Sequence, residues 1–562
     1  MYKTANILRF LATGLVMITA CSKKSDTSTT PVLPPTALNV TGIKLGATAA
    51  IINITNYNVA TTAELKISFN NVLDKTTVSS GVSLIEAGVG AVAFSVRYEN
   101  SDSTLVLSPT TPLKYLTSYT LNATNNLQSI KKGALVPELN LQFATQMDPS
   151  DKFPIISDNA LLDSVQQRSF RYFWDYGHPV SGLARERSNA TPETVTSGGS
   201  GFGIMCIPVA ISRNFITRAD GLARMQKIVG FLKNNAQRFH GAYSHWLNGT
   251  TGVVIPFSTK DDGADLVETS YLMAGLLTAR QYFNGADVAE TTLRSDINAL
   301  YNAVEWNWFR KGSENVLYWH WSPNYAWDMN HKIQGWNECL ITYIMAASST
   351  TYGIPQVVYK EGFARNGAMA NNNSYYGYSL PLGPAYGGPL FLSHYSFLGI
   401  NPNGLGDTYA NYQTQVTNHS KINYEYCKAN PKNFFGYSNL CWGLTASDVP
   451  NGYNANEPSN DIGVISPTAA LSSFPYTPTE SMAALKFFYY KLGDKIWKQY
   501  GFVDAFSLKD LWYANSHLAI DQGPIVIMIE NHRSQLVWDL LTSCPEVKNG
   551  MKNVLGFTAP YL

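Results

Sequence analysis

At 562 residues the chain is longer than one simple hydrophobic core organises, so two domains are the default expectation. Its 41 basic and 40 acidic residues leave a net charge of +1, and no basic run interleaves with aromatics, which argues against a nucleic-acid partner. An aromatic excess of 12 Trp, 33 Tyr and 25 Phe, much of it in Asn/Gly/Pro-rich segments, points towards carbohydrate.

In chain order the first feature is a targeting segment. Lys3 and Arg9 give it positive charge, Ile7 to Ile18 is largely apolar, and Ile18-Thr19-Ala20-Cys21 resembles a bacterial lipobox. Residues 1–20 then form a lipoprotein signal peptide, and Cys21 becomes the acylated first residue of a mature chain anchored to the outer membrane, on its periplasmic face or at the cell surface. The apolar run is shorter than the ~20 residues a membrane span needs. Residues 21–37 are a Ser/Thr/Pro-rich tether. From 38 to 147, short alternating runs at 64–69, 103–109, 118–123 and 139–145 are separated by Asn, Gly and Pro turns and predict a small all-β sandwich. Their succession resembles the bacterial Ig-like domains.

Beyond residue 155 the pattern turns helical, beginning with 161–174. Thr217 with Asp220 reads as a capping box ahead of Leu222, Met225, Val229 and Leu232 at helical spacing. Leu293, Ile297, Leu300 and Val304 repeat that spacing. A second box, Thr477 to Glu480, makes Glu480 structural, and the last helical stretch spans 525–541. Helices joined by long loops, without β–α alternation, predict a mainly α domain over 155–562, a toroid of helical hairpins. The glycine-rich 197–203 lacks the Lys-Ser/Thr of a phosphate loop and reads as backbone approaching a cleft. Cys206, Cys339, Cys427, Cys441 and Cys544 contain no CxxC and read as buried apolar side chains.

Residues 261–268 gather Asp261, Asp262, Asp265 and Glu268 ahead of an apolar run. Read as helix, the i, i+4, i+7 spacing puts Asp261, Asp265 and Glu268 on one face. Carboxylates so placed repel, and at least one is expected to keep its proton. A proton-holding acid beside an ionised carboxylate is what glycosidic cleavage requires. The alternative is a helix cap at Asp261 or Asp262. A stripe of three like charges also implies that Asp265→Asn relieves repulsion and raises stability.

Glu338 follows Trp336 and Asn337 and precedes another apolar run. A carboxyl beside an indole loses solvation and suits a general acid; service to a helix dipole is the alternative. Asp265 is the first choice of base, with Asp521 and Asp461 as rivals, although Asp521 before Gln-Gly-Pro also suits a turn. Asp261, Asp262, Glu268, His245, Trp246, Trp336, Asn337, Arg185, Glu457, Asp461 and Gln522 form the expected sugar-binding set. For Arg185 to Arg187 an arginine tied to a neighbouring carboxylate is the alternative. No HExxH or EF-hand pattern occurs, and His240 and His245 do not share a helical face, so neither metal nor cofactor is expected.

Longer motifs carry a resemblance. FRYFWDYGHPVSGLARERS (170–188), GAYSHWLNGTTGVVIPFSTKDDGADLVETSYLMAGLL (241–277), GWNECLITYIMAASSTTYGIP (335–355), EPSNDIGVISPTAALSSFPYTP (457–478) and DQGPIVIMIENHRSQLVW (521–538) are similar to the glucoamylase-like family, which holds the β-1,2-glucanases of glycoside hydrolase family 144. The resemblance runs in order across about 155–560. It implies an (α/α)6 barrel with its cleft at one end, endo- or sophorose-releasing exo-action on β-1,2-glucan, and Glu338 as the acid. A monomer whose partner is a β-glucan oligosaccharide or polysaccharide is expected. The alternatives are a non-catalytic glycan-binding lipoprotein and a hydrolase or phosphorylase of another glucan.

Overall fold

The computed structural model describes residues 35–562; the expected signal peptide, Cys21 and most of the expected tether fall outside the described residues. Two units separate. A β unit extends to Phe143, and a helical unit comprises Lys114–Ser118 and Ala144–Leu562.

The β unit holds two five-stranded sheets. One has the order β2-β1-β4-β8-β7, from β1 (Val40–Leu45), β2 (Thr48–Ala49), β4 (Leu65–Phe69), β7 (Phe94–Glu99) and β8 (Thr104–Pro109). The other has the order β3-β10-β9-β5-β6, from β3 (Asn56–Val59), β5 (Val82–Glu86), β6 (Gly90–Ala91), β9 (Ser118–Ala123) and β10 (Leu139–Thr145). Alternation sets the buried face: β4 buries Leu65, Ile67 and Phe69 and leaves Lys66 and Ser68 half-buried. Antiparallel pairing places Leu65 opposite Leu107 and Ile67 opposite Leu105. These join Leu84, Leu121, Leu141 and Phe143 in one core, each fully buried side chain contributing roughly 1.5–3 kcal/mol.

The helices that shape the helical unit around the site include α1 (Asp158–Trp174), α2 (Ser197–Ser212), α3 (Arg218–Asn234), α4 (Leu266–Tyr282), α5 (Val288–Asn302), α6 (Leu340–Ser348), α7 (Tyr412–Ala429), α8 (Pro467–Leu471), α9 (Pro478–Lys486), α10 (Ala519–Arg533) and α11 (Leu536–Thr542). Two kinds alternate. The helices α1, α3, α5 and α7 are amphipathic; α3 hides Met225, Ile228, Val229 and Leu232, and α5 hides Leu293, Ile297 and Leu300. The helices α2, α4, α6 and α10 are buried on almost every side. Burial without a polar face lets α2 and α4 approach backbone to backbone. A Cβ on Gly201 would lie 2.2 Å from the Tyr271 carbonyl oxygen, and one on Gly275 2.3 Å from that of Gly201.

Several local expectations change. The glycine-rich 197–203 begins the buried helix α2, so its glycines serve helix packing. Thr217 caps α3 by accepting from the Asp220 N–H, but Thr477 makes no such bond; its hydroxyl engages the Ser473 carbonyl and Ser481 instead. The stretch 525–541 is two helices, α10 and α11, separated where Gln535 turns left-handed at φ 63°. All five described cysteines are free and buried.

Candidate active site

The buried helices bring carboxylates to their N-terminal ends, where unpaired N–H groups and the helix dipole favour negative charge. Asp265 is the N-cap of α4 and accepts from the Glu268 N–H at 2.9 Å. Glu268 lies in the first turn of α4 and accepts from the Gly198 N–H at the start of α2, also at 2.9 Å. Glu338 immediately precedes the Cys339 cap of α6, and Asp521 lies in the first turn of α10.

The expected helical stripe does not form, because α4 starts only at Leu266. Asp261 belongs to a preceding turn in which its N–H bonds the Ser258 carbonyl. The acids still converge, joined by histidines. His245 Nδ1 lies 3.4 Å from Asp265 Oδ2, and His320 Nε2 lies 3.4 Å from Asp261 Oδ2 and 3.7 Å from Asp265 Oδ2. A short antiparallel pairing of Asp265 with His320 fixes the second histidine.

This arrangement splits the proton affinities. Burial would raise Asp265, but hydrogen bonding to His245 and the charge of His320 hold it below its ordinary value. Burial also opposes charge on His245, yet Glu268 and then Asp265 raise it to about 10. Glu268 and Asp261 are each pushed up to about 7, chiefly by burial and then by neighbouring charge, with His245 opposing. One ionised carboxylate thus sits beside proton-holding ones. Asp262 turns aside, accepting from the Asn324 amide at 2.7 Å.

His245, Asp261 and Asp265 each offer a ligand atom, all within 4.8 Å of one another, a donor set that fits a divalent cation. The His245 imidazolium already supplies positive charge there, so a cation would have to displace its proton.

Glu338 keeps part of its surface accessible, while protein crowding pushes its carboxyl up to about 7, with the Asp265 charge adding to the effect. Its carbonyl accepts from the Tyr271 and Ser396 hydroxyls, which fixes the turn. The Trp336 indole lies in the core, stacked with Tyr412 at 5.8 Å.

A second acid group surrounds Asp521. Its neighbours are Asp504, hydrogen-bonded to it, and Asp448, whose N–H donates to Asp504 Oδ2 at 2.7 Å. Arg187 donates to Asp448 at 3.1 Å, and Ser516 also donates to Asp448. Burial, then the Asp504 charge, raises Asp521 well above the carboxylate range, and burial brings Asp504 to about 6. The Tyr395 phenol joins the groups, lying in the fields of Asp521, Glu268 and Glu338 together.

The other expected residues are held as follows. Trp246 packs against Phe257 with tilted rings 4.7 Å apart and meets His245 edge-on. Asn337 accepts from the Cys339 N–H. Arg185 donates to the Pro192 and Tyr176 carbonyls and lies over the Tyr176 ring, while Arg187 of the same segment takes the carboxylate partner, Asp448. Asp461 is tied to the Tyr437 hydroxyl and the Gly463 N–H, Gln522 donates to the Phe502 carbonyl, and Glu457 is half-buried ahead of a short turn. Sequence reasoning missed His320, Asp448 and Asp504. Asp448 ends the motif GYSNLCWGLTASD, whereas nothing around Asp504 or His320 sets them apart.

Residues 330–545 match the family model described as "Putative glucoamylase", and 39–145 match that of a bacterial Ig-like domain. A solved endo-β-1,2-glucanase from Chitinophaga pinensis, in complex with sophorotriose and glucose, is 52% identical with a TM-score of 0.71, covering 73% of this chain and all of that one. This chain belongs to the glucoamylase-like family. Another solved member, a β-1,2-glucanase from Parabacteroides distasonis, is 36% identical with a TM-score of 0.69 over 93% of this chain and 74% of its own. The curated exo β-1,2-glucooligosaccharide sophorohydrolase (non-reducing end) of that organism is 44% identical over 437 residues, 74% of this chain and 60% of the relative. The chain therefore spans about three-fifths of that relative's length. Within this glucoamylase-like chain, all the acids described above belong to the helical unit.

Proposed function

We propose that the chain is a glycoside hydrolase that cleaves β-1,2-glucan to sophorose or short sophorooligosaccharides by general acid–base catalysis. The observation that carries the proposal is the split of proton affinities: Glu338 is accessible and raised to about 7, beside an Asp265 that two histidines hold ionised. Glu338 donates its proton to the departing glycosidic oxygen. Asp265 is the preferred base, acting on water directly or through a relay, and Asp521, paired with Asp504, is the alternative. Trp246 and Phe257 offer aromatic faces to the sugar, while Asp261 and Glu268 accept its hydroxyls. The activities of the Chitinophaga and Parabacteroides relatives support the choice of linkage.

The alternation of amphipathic and buried helices supports an (α/α)6 toroid with the cleft at the N-terminal ends of the buried set. Anchorage through Cys21 at the outer membrane, and action as a monomer, belong to the same proposal.

Incubation with β-1,2-, β-1,3- and α-1,4-glucans, with and without phosphate, tests the reading. Sophorose or its short homologues should appear from β-1,2-glucan alone, independently of phosphate. Release of a sugar phosphate would make the chain a phosphorylase, and tight binding without products would make it a glycan-binding protein.

A further inference from the structure

A cavity of about 580 Å³ opens on the helical unit, lined by Tyr176, Tyr500, Tyr513, Gln499, Asn515 and His517 among others. It lies back to back with the second acid group. Where Arg187 turns to Asp448, the next residue, Ser188, lines the cavity. Asp504 accepts from Asp448 while Val503 lines the cavity, and Ser516 donates to Asp448 while His517 lines it. In each of three segments one residue thus serves the second acid group and its neighbour the cavity wall. None of the cleft acids lines this cavity.

The wall combines aromatic surface with polar side chains. Tyr176 and Tyr500 pack 5.5 Å apart, and Tyr500 meets His517 edge-on at 5.5 Å. His517 is only 6% exposed, and its Nε2 has no hydrogen-bond partner. The buried Tyr513 hydroxyl also has none. Both atoms are buried behind the wall, so the polar groups an occupant reaches are the exposed Gln499 and Asn515 side chains. Burial lowers His517 to about 4, so the ring is neutral at neutral pH.

The two lysines of the wall both turn to Asp494. Lys495 lies 3.6 Å from the Asp494 carboxylate, and Lys498 donates to the Asp494 carbonyl. No arginine lines the cavity to grip an anion. The volume falls within the roughly 300–1,000 Å³ typical of small-ligand sites. Flat phenol rings for apolar sugar faces, with the Gln499 and Asn515 amides for the hydroxyl rim, are the chemistry of a carbohydrate site.

We propose that this cavity is a non-catalytic binding site for a neutral gluco-oligosaccharide, a second foothold for the polymer cut in the cleft. The choice of glucan rests on the proposed hydrolase reading. Sophorotriose titrated into the full chain carrying Glu338→Gln should fill two sites per molecule. Asn515→Trp, which blocks the cavity from an exposed position, and Gln499→Ala, which removes an exposed amide of its wall, should each weaken one site at least several-fold and spare the other. With Glu338 intact, Asn515→Trp should leave kcat on short oligosaccharides unchanged and raise KM for long β-1,2-glucan several-fold. A single site that neither variant disturbs, with hydrolysis intact, overturns this proposal alone. No sophorotriose bound and no β-1,2-glucan cleaved overturns the hydrolase reading with it.

Discussion

Asp265 shows how the proximity of like charges can mislead at the scale of one residue. The sequence suggests repulsion, so that Asp265→Asn would stabilise. In the fold the charge caps α4 and is balanced by His245 and His320. Asparagine keeps the cap but takes one of two carboxylates from the His245 imidazolium, leaving it Glu268, and breaking a buried pair costs up to roughly 3–5 kcal/mol at neutral pH. A thermal melt of Asp265→Asn should therefore fall well below wild type; an unchanged or higher melting temperature contradicts this account. The same substitution removes a negative charge that helps raise Glu338, so any residual activity should lose its alkaline limb at lower pH. Glu268 behaves oppositely. Its carboxyl is raised from 4.5 to about 7, so the folded state holds the proton longer than the unfolded chain does. The resulting penalty starts above pH 4.5, is complete above about 7, and is absent from a neutral amide. The melting-temperature difference between Glu268→Gln and wild type should accordingly move in the variant's favour from pH 5 to pH 8; a pH-independent difference contradicts the shift.

Helices differ in how openly the sequence declares them. Those with one wet face, such as α3 and α5, repeat apolar residues at helical spacing and are legible from Met225 to Leu232 and from Leu293 to Leu300. The buried helices carry no polar face and so no period, and α2 looks like a loop because glycines fill its first two turns. Their meaning lies in the partner helix, which spacing cannot reveal. Gly201→Ala should cost about 1–3 kcal/mol or more through overpacking against the Tyr271 carbonyl. Gly230→Ala in α3, where a Cβ meets nothing within 4 Å, should instead gain about 0.5–1 kcal/mol. Denaturant midpoints of the two variants check the contrast, and equal effects would contradict the packing argument. The acids follow the same rule. Asp261, Asp265 and Glu268 are legible because they are close in sequence, whereas Asp448, Asp504 and His320 reach the site from short pairings in long loops.

Across the whole molecule, the described carboxylates and histidines of the site all lie in the helical unit. The segment 144–154 belongs to that unit and is bound to it, with the Lys152 N–H donating to the Tyr490 carbonyl and Lys491 to that of Pro149. Residues 144–562 alone should therefore fold and keep the wild-type kcat on soluble oligosaccharide. A folded truncation without activity would assign part of the cleft to the β unit. The Ig-like unit and the sugar-suited aromatics are legible from composition and alternation, but the cleft depends on segments from Ser197 to Asp521 meeting at helix N-termini. The central claim is that Glu338 delivers the proton that breaks a β-1,2-glucosidic bond. Its most direct test compares turnover of β-1,2-glucan with affinity for sophorotriose in Glu338→Gln. The account predicts that kcat falls by about 10²–10⁴-fold while affinity and melting temperature stay near wild type. Turnover near wild type in that variant would contradict it.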